Sequence, residues 1–418
     1  MKPIIYEAAM ADALKRGIDI EAIYAKDVKP RIGEGPMSRL DCLRYDPQAR
    51  AFINMQMHGV PEALATESST VVAESQAIYN FWRFGKKMFT VSEDLSRMLM
   101  ESELKVPKFF LKLPFPCIYI RFDATQLLDI ECVFDDSAIP LDGVFVFDLM
   151  EDFTIGKLMQ DPKVTTEILT NPAYKVEGHH REPVRKIVAV SRDGGVKSMN
   201  INFAAIPWAH SDDTIIDQEF ITNANGKMWD QYLEVYPQDK GKPSTHDKVW
   251  IEQLVPAIHL TFATLAYINS SGADIKGKKA PAQEVQERLA KEQGMSSPPK
   301  KLFKKARELS NIDYYHVGGS IKLPHWGSGP KPQLEVKREG AYRTYKYKFQ
   351  VRAHFRGYWK NLENLTEEEK LPHVLRKVEG NKALINKFIQ AFWKGPEFSE
   401  VVTRPYMLDL PKGEKQEE

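Results

Sequence analysis

The stretch Lys248–Ile268, KVWIEQLVPAIHLTFATLAYI, is apolar almost all round. A helix without a polar face is normally buried between layers, so this segment points to a layered fold with a helix against a sheet. Pro256 falls inside it. Because proline lacks an N–H and its ring crowds the preceding turn, it predicts a kink or a break there.

Upstream, strand-like runs separated by turn residues occur at Cys117–Phe122 (CIYIRF), Gly143–Leu149 (GVFVFDL), Ile187–Val190 and Ser198–Phe203. Their separations suit an antiparallel meander rather than β-α-β units. Residues Asp152 to Glu167 could add a short helix. Before the strands, Ser75 to Glu103 spaces Ile78, Phe81, Trp82, Phe84, Phe89, Leu95, Met98 and Leu99 as one or two amphipathic helices interrupted at Gly85. Downstream of the long helix, Ser270–Lys305 turns to Gly, Ser, Pro, Lys and Glu and reads as a linker. Asp313–Leu323 reads as a strand, and Leu384–Trp393 as a last element.

The expected architecture is α+β, with N-terminal helices, a central antiparallel meander sheet with a buried helix, and a basic C-terminal β module. Residues 1–110 form the helical region, 111–270 the central sheet plus helix and 271–310 a flexible basic linker. Residues 311–410 form the basic module and 411–418 a disordered tail. With 43% apolar and 28% charged residues, the composition is that of a soluble globular chain. The start MKPIIYEAAMADALKRG has no continuous apolar block, and no run approaches the roughly 20 apolar residues of a spanning helix, so a cytoplasmic protein is expected. Cys42, Cys117 and Cys132 have no CxxC spacing and read as reduced, packed thiols.

Charge is segregated along this chain. Lys300 to Lys360 holds 15 Lys and Arg against 4 Asp and Glu, while the whole chain carries +1. Within it lies Tyr345–Trp359, YKYKFQVRAHFRGYW. As a strand of period two, it presents Tyr345, Tyr347, Phe349, Val351, Ala353 and Phe355 to one face. Lys346, Lys348, Gln350, Arg352, His354 and Arg356 occupy the other. Such a row grips an anionic partner or tiles a solvated edge protected against aggregation.

Other constellations are weaker. His179 and His180 are neighbours, which a strand would point to opposite faces, and no further ligand lies at metal-binding spacing. Asp123, Asp129, Glu131, Asp135, Asp136, Asp142, Asp148, Glu151 and Asp152 suggest a two-metal nuclease, but read as solvated turns between strands. His316, His325 and His354 with Lys348, Arg352 and Arg356 contain the acid, base and cations of a metal-independent ribonuclease. Trp326 and Trp359 could stack bases. No Walker A loop, GxGxxG, GxSxG, HExxH or CxxC pair occurs, which counts against the common ATPase, dehydrogenase, hydrolase and zinc classes. No cofactor and no metal site is expected.

With LKLPFPCIYIRFDATQL (Leu111–Leu128) and HFRGYW (His354–Trp359) both present, the chain resembles the type V-A anti-CRISPR family of bacterial mobile elements. The resemblance rests on Leu111, Leu113, Pro114, Cys117, Ile118 and Tyr119, and on Arg352, His354, Arg356, Gly357, Tyr358 and Trp359. A closing aromatic strand is matched by FIQAFWKGP (Phe388–Pro396), whereas Phe355 stands where the family pattern has Trp. What the resemblance implies is a non-catalytic inhibitor of the host's single-protein RNA-guided nuclease. It would recognise the effector polypeptide, its nascent form included, and lower its synthesis or message, with mRNA or the ribosome as further partners. Lys346, Lys348, Arg352, His354, Arg356, Tyr358 and Trp359, with His325 and Trp326, are then the expected partner-binding residues. The alternatives are an RNA-binding protein or ribonuclease using the same strand, and a phage protein of unrelated role.

Overall fold

A computed structural model describes residues 17–47, 63–122, 138–152, 181–192, 199–224, 245–279, 312–321, 349–351, 353–367 and 377–390, with short pieces at 6–7, 9–10, 13, 49–50, 129–131, 163, 166–167, 171, 369–370 and 392–394. After short helical segments at Ile20–Ile23, Tyr24–Val28 and Lys29–Ile32, the described helices include α1 (Arg39–Tyr45), α2 (Ala63–Arg83), α3 (Glu93–Glu101) and α4 (Thr245–Ile268). The strands are β1 (Lys87–Val91), β2 (Lys105–Pro107), β3 (Cys117–Phe122), β4 (Asp129–Glu131), β5 (Ala138–Asp152), β6 (Arg181–Arg192), β7 (Met199–Pro207), β8 (Ile215–Asp217), β9 (Ile275–Lys279), β10 (Asp313–Val317), β11 (Phe349–Val351), β12 (His354–Asn361), β13 (Lys377–Glu379), β14 (Lys382–Ile389) and β15 (Phe392–Lys394). The protein is α+β, with N-terminal helices and several sheets.

The large sheet runs β7-β6-β5-β3-β1-β10-β9, with β4 paired to β5. Its β3-β5-β6-β7 part is antiparallel, but β1 lies parallel to both β3 and β10. The sheet is therefore mixed: the four runs read as strands pair antiparallel, while β1, α3 and β3 form a β-α-β unit because Lys87–Val91, read as helical, is a strand. The single interruption expected at Gly85 is also more than that. Gly85, at φ +85°, ends α2, and the chain enters β1 before Ser92 caps α3 through the Leu95 N–H. Lys87–Val91 carries no alternation because both of its faces are covered.

Alternate residues of the sheet enter two apolar layers. Phe89, Val91, Ile118, Ile120, Val144 and Val146 pack with α3 and α4, while Met88, Tyr119, Phe145 and Phe147 pack with α2 and the N-terminal helices. α4 runs continuously through Pro256, so of the kink or break expected there the break does not occur. Leu254, Ile258, Leu260, Phe262, Leu265 and Ile268 are all buried, and each such side chain stabilises by roughly 1.5–3 kcal/mol. Thr261 and Thr264 are buried too, their hydroxyls bonded back to the Ala257 and Leu260 carbonyls at 2.6 and 2.8 Å.

β9 lies within the stretch read as a linker, and β10 within the stretch read as the C-terminal module, yet both pair into the large sheet. Within the stretch read as one strand over Tyr345–Trp359, the described residues belong to two strands, β11 and β12. β11 pairs with β15, β12 pairs with β14, and Ala353 between them is buried. Asp142, Asp148 and Glu151 are not loop carboxylates: they lie on β5 and face Arg121, Arg185 and Lys186. His179, His180, Cys132 and most of Asp152–Glu167 fall outside the described residues; Cys42 and Cys117 are buried free thiols.

Candidate functional site

The sheet β12-β14-β13 sits at the C-terminal end of α4. Asn386 of β14 donates from Nδ2 to the Ala266 carbonyl at 3.1 Å, and the Ser271 N–H donates to the Asn386 carbonyl at 2.7 Å. The Phe388 ring meets Tyr267 edge-on at 5.2 Å and touches Phe355 at 5.1 Å. β14 is thus the fixed member, and β12 pairs along it from His354 opposite Ile389 to Asn361 opposite Lys382.

Register divides β12 into two faces. Phe355, Gly357 and Trp359 point with Phe388, Asn386 and Leu384 toward α4. Arg356, Tyr358 and Lys360 point the other way with Lys387, Ile385 and Ala383. Gly357 is extended, and a Cβ there would come within 3.3 Å of Leu384 Cδ1, so this glycine makes room for a leucine rather than a bend. Trp359, beyond the end of the core, remains 46% exposed, and Tyr358 remains 38% exposed on the opposite face.

The cations of this face are treated unequally. Lys360 donates to Glu369 Oε2 at 2.6 Å. Burial opposes the Glu369 charge, but the bonds from Lys360, the Thr366 N–H and the Ser271 hydroxyl outweigh it and hold the carboxyl below its usual range. Arg356 instead lies directly opposite exposed Lys387, and no carboxylate among the described residues pairs with either. The Arg356 guanidinium lies 5.1 Å from the Tyr358 ring centroid.

β12 is also the last strand of its sheet. A single parallel bridge joins His354 to Glu103, and beyond it no described strand pairs with its outer edge. Of the expected site residues, His354, Arg356, Tyr358 and Trp359 are therefore gathered on one edge strand. Lys346, Lys348, Arg352, His325 and Trp326 lie outside the described residues. His316 is elsewhere, on β10 opposite Thr90 and Lys276 in the large sheet, while His354 belongs to the C-terminal sheet. Among the described residues no group of His, Cys, Asp and Glu could hold a metal ion, and no helix is long and apolar enough to cross a membrane. Sequence reading missed Lys387 and Glu369. The pattern KALINKFI of β14 carries the signal for Lys387, a lone cation in phase with the outward face, but only register reveals its partner.

The family model described as the AcrVA2-like, anti-CRISPR type V subtype A2 family matches residues 89–376, from β1 through β12. A solved structure titled "Crystal structure of AcrVA2" is 12% identical, with coverage of 93% of this chain and 99% of that one and a TM-score of 0.39. No curated protein matches the chain.

Proposed function

The chain belongs to the anti-CRISPR type V subtype A2 family, and from that premise we propose that it inhibits a type V-A effector by binding the effector's polypeptide and lowering its synthesis or message. The observation that carries the binding reading is the edge of β12. There, inside the family match, Arg356, Tyr358 and Trp359 stay in solvent on a strand anchored by β14. Exposed aromatics beside an arginine on a rigid edge are the usual anchors of a protein partner.

An RNA platform is supported less well. Base stacking needs its aromatics on a common face, and Tyr358 and Trp359 alternate to opposite faces. The test is a pull-down of tagged protein from translating bacteria that express a type V-A effector, with bound proteins and RNA identified. Recovery of the effector chain together with its message supports the reading. Broad RNA without the effector sinks it in favour of RNA binding.

A further inference from the structure

Resting on that reading, we infer that the captured segment is an extended one that adds to β12 as a further strand and places a carboxylate beside Arg356, on the face that Arg356 shares with Lys387. Three features lead there. The outer edge of β12 presents backbone groups from Arg356 onward that no described strand uses, and such an edge recruits extended chains by main-chain hydrogen bonding. Tyr358 and Trp359 flank that edge on opposite faces, which suits an added strand, because its side chains also alternate between the two faces.

The third feature is charge. Like charges directly opposite on neighbouring strands destabilise a sheet. Nearby Lys360, and Lys87, Lys108, Arg121, Arg185 and Lys186 in the body of the protein, each face a carboxylate. Arg356 and Lys387 face each other with no carboxylate between them among the described residues, so a carboxylate arriving from outside would relieve the repulsion and gain a charge-assisted bond to Arg356. A second copy of this chain is a poor occupant: strand-to-strand pairing of β12 with itself would bring Arg356 and Lys360 against the same cations.

The experiment uses the full chain and synthetic peptides tiling a type V-A effector, read by fluorescence anisotropy. At least one peptide bearing Asp or Glu should bind, and the double variant R356E/K387E should bind it tenfold or more weakly. Replacing that peptide carboxylate with Lys should restore binding to the double variant. N-methylation of the peptide backbone should abolish binding at alternate positions only, as one-sided strand pairing requires. The variant K382E, at the far end of β14, should bind as the parent does, and circular dichroism establishes that the double variant is folded. A peptide that binds R356E/K387E as well as the parent, or one indifferent to N-methylation, overturns the inference while leaving effector recognition standing. If no effector peptide binds, both the inference and the reading beneath it fail. Single-stranded RNA bound by the parent and lost in R356E/K387E, without peptide binding, would make RNA the occupant instead.

Discussion

Arg185 and Asp148 oppose each other across β5 and β6 in a two-bond pair, Nε to Oδ1 at 2.7 Å and Nη2 to Oδ2 at 2.8 Å. The guanidinium also donates from Nη1 to the Leu111 carbonyl and lies 4.0 Å from the Trp208 ring centroid. The Arg185 side chain is 1% exposed and that of Asp148 43%, so the buried charge is the arginine's.

That asymmetry orders the mutational costs. Asp148→Ala leaves a buried guanidinium without its counter-ion and should lower stability by roughly 3 kcal/mol. Arg185→Met removes the buried charge and leaves a carboxylate that water can reach, so it should cost less, about 1–2 kcal/mol. Urea midpoints measure both. The reverse ranking would show that the Leu111 and Trp208 contacts, not the pair, hold this part of β6.

Glu74 of α2 gives a pH signature. Burial, with a smaller contribution from Asp46, pushes its carboxyl up to about 7 from 4.5. Between those values the folded chain holds a proton that the unfolded chain has lost, so stability falls as pH rises through the window; the penalty is complete above it and absent below 4.5. Glu74→Gln should therefore stabilise the protein at pH 8 by roughly 1–3 kcal/mol, with the gain vanishing near pH 4.5. Thermal melts across pH would disprove this if the gain were the same at both ends.

Gly143 on β5 has no room for a side chain. A Cβ there would lie inside the contact distance of the Ile120 carbonyl and 2.6 Å from Tyr119 Oη, whose hydroxyl donates to Asp142 at 2.7 Å. Gly143→Ala should destabilise by roughly 3 kcal/mol, since the obstacle includes backbone of a central strand. Tyr119→Phe alone should cost about 1 kcal/mol and should not rescue the alanine, because the Ile120 carbonyl stays in place. Rescue in a double-mutant denaturation cycle would assign the clash to the hydroxyl instead.

What could be read in advance follows from what periodicity encodes. Cys117–Phe122 emerges at its predicted bounds because its flanking turn signals and apolar run are local facts. The buried character of α4 was legible for the same reason. Pairing was not: β10 meets β1 in parallel across 226 residues from Lys87 to Asp313, and no local pattern records such a partner. β1 itself was hidden by aromatic spacing that continues helical phase through Phe84 and Phe89. At the candidate site, alternation assigned Phe355 inward and Arg356 outward correctly. It could not reveal that β11 and β12 take different partners, since Val351, Ala353 and Phe355 keep one phase in the sequence, nor the meeting of Arg356 with Lys387.

The exposure of Tyr358 and Trp359 separates a binding role from a structural one. Tyr358 and Trp359 leave 38% and 46% of their surface in solvent, whereas the inward anchor of β12 is Phe355 against Phe388. Tyr358→Ser and Trp359→Ser should therefore lower unfolding free energy by only about 1 kcal/mol each. Phe355→Ala, by contrast, deletes a ring packed on the α4 core and should cost roughly 3 kcal/mol. In bacteria carrying a type V-A effector, the two serine variants should accumulate normally yet no longer protect a targeted phage. Protection that survives both, or that disappears only in step with protein abundance, would remove this edge from the inhibitory surface and return its aromatics to the fold.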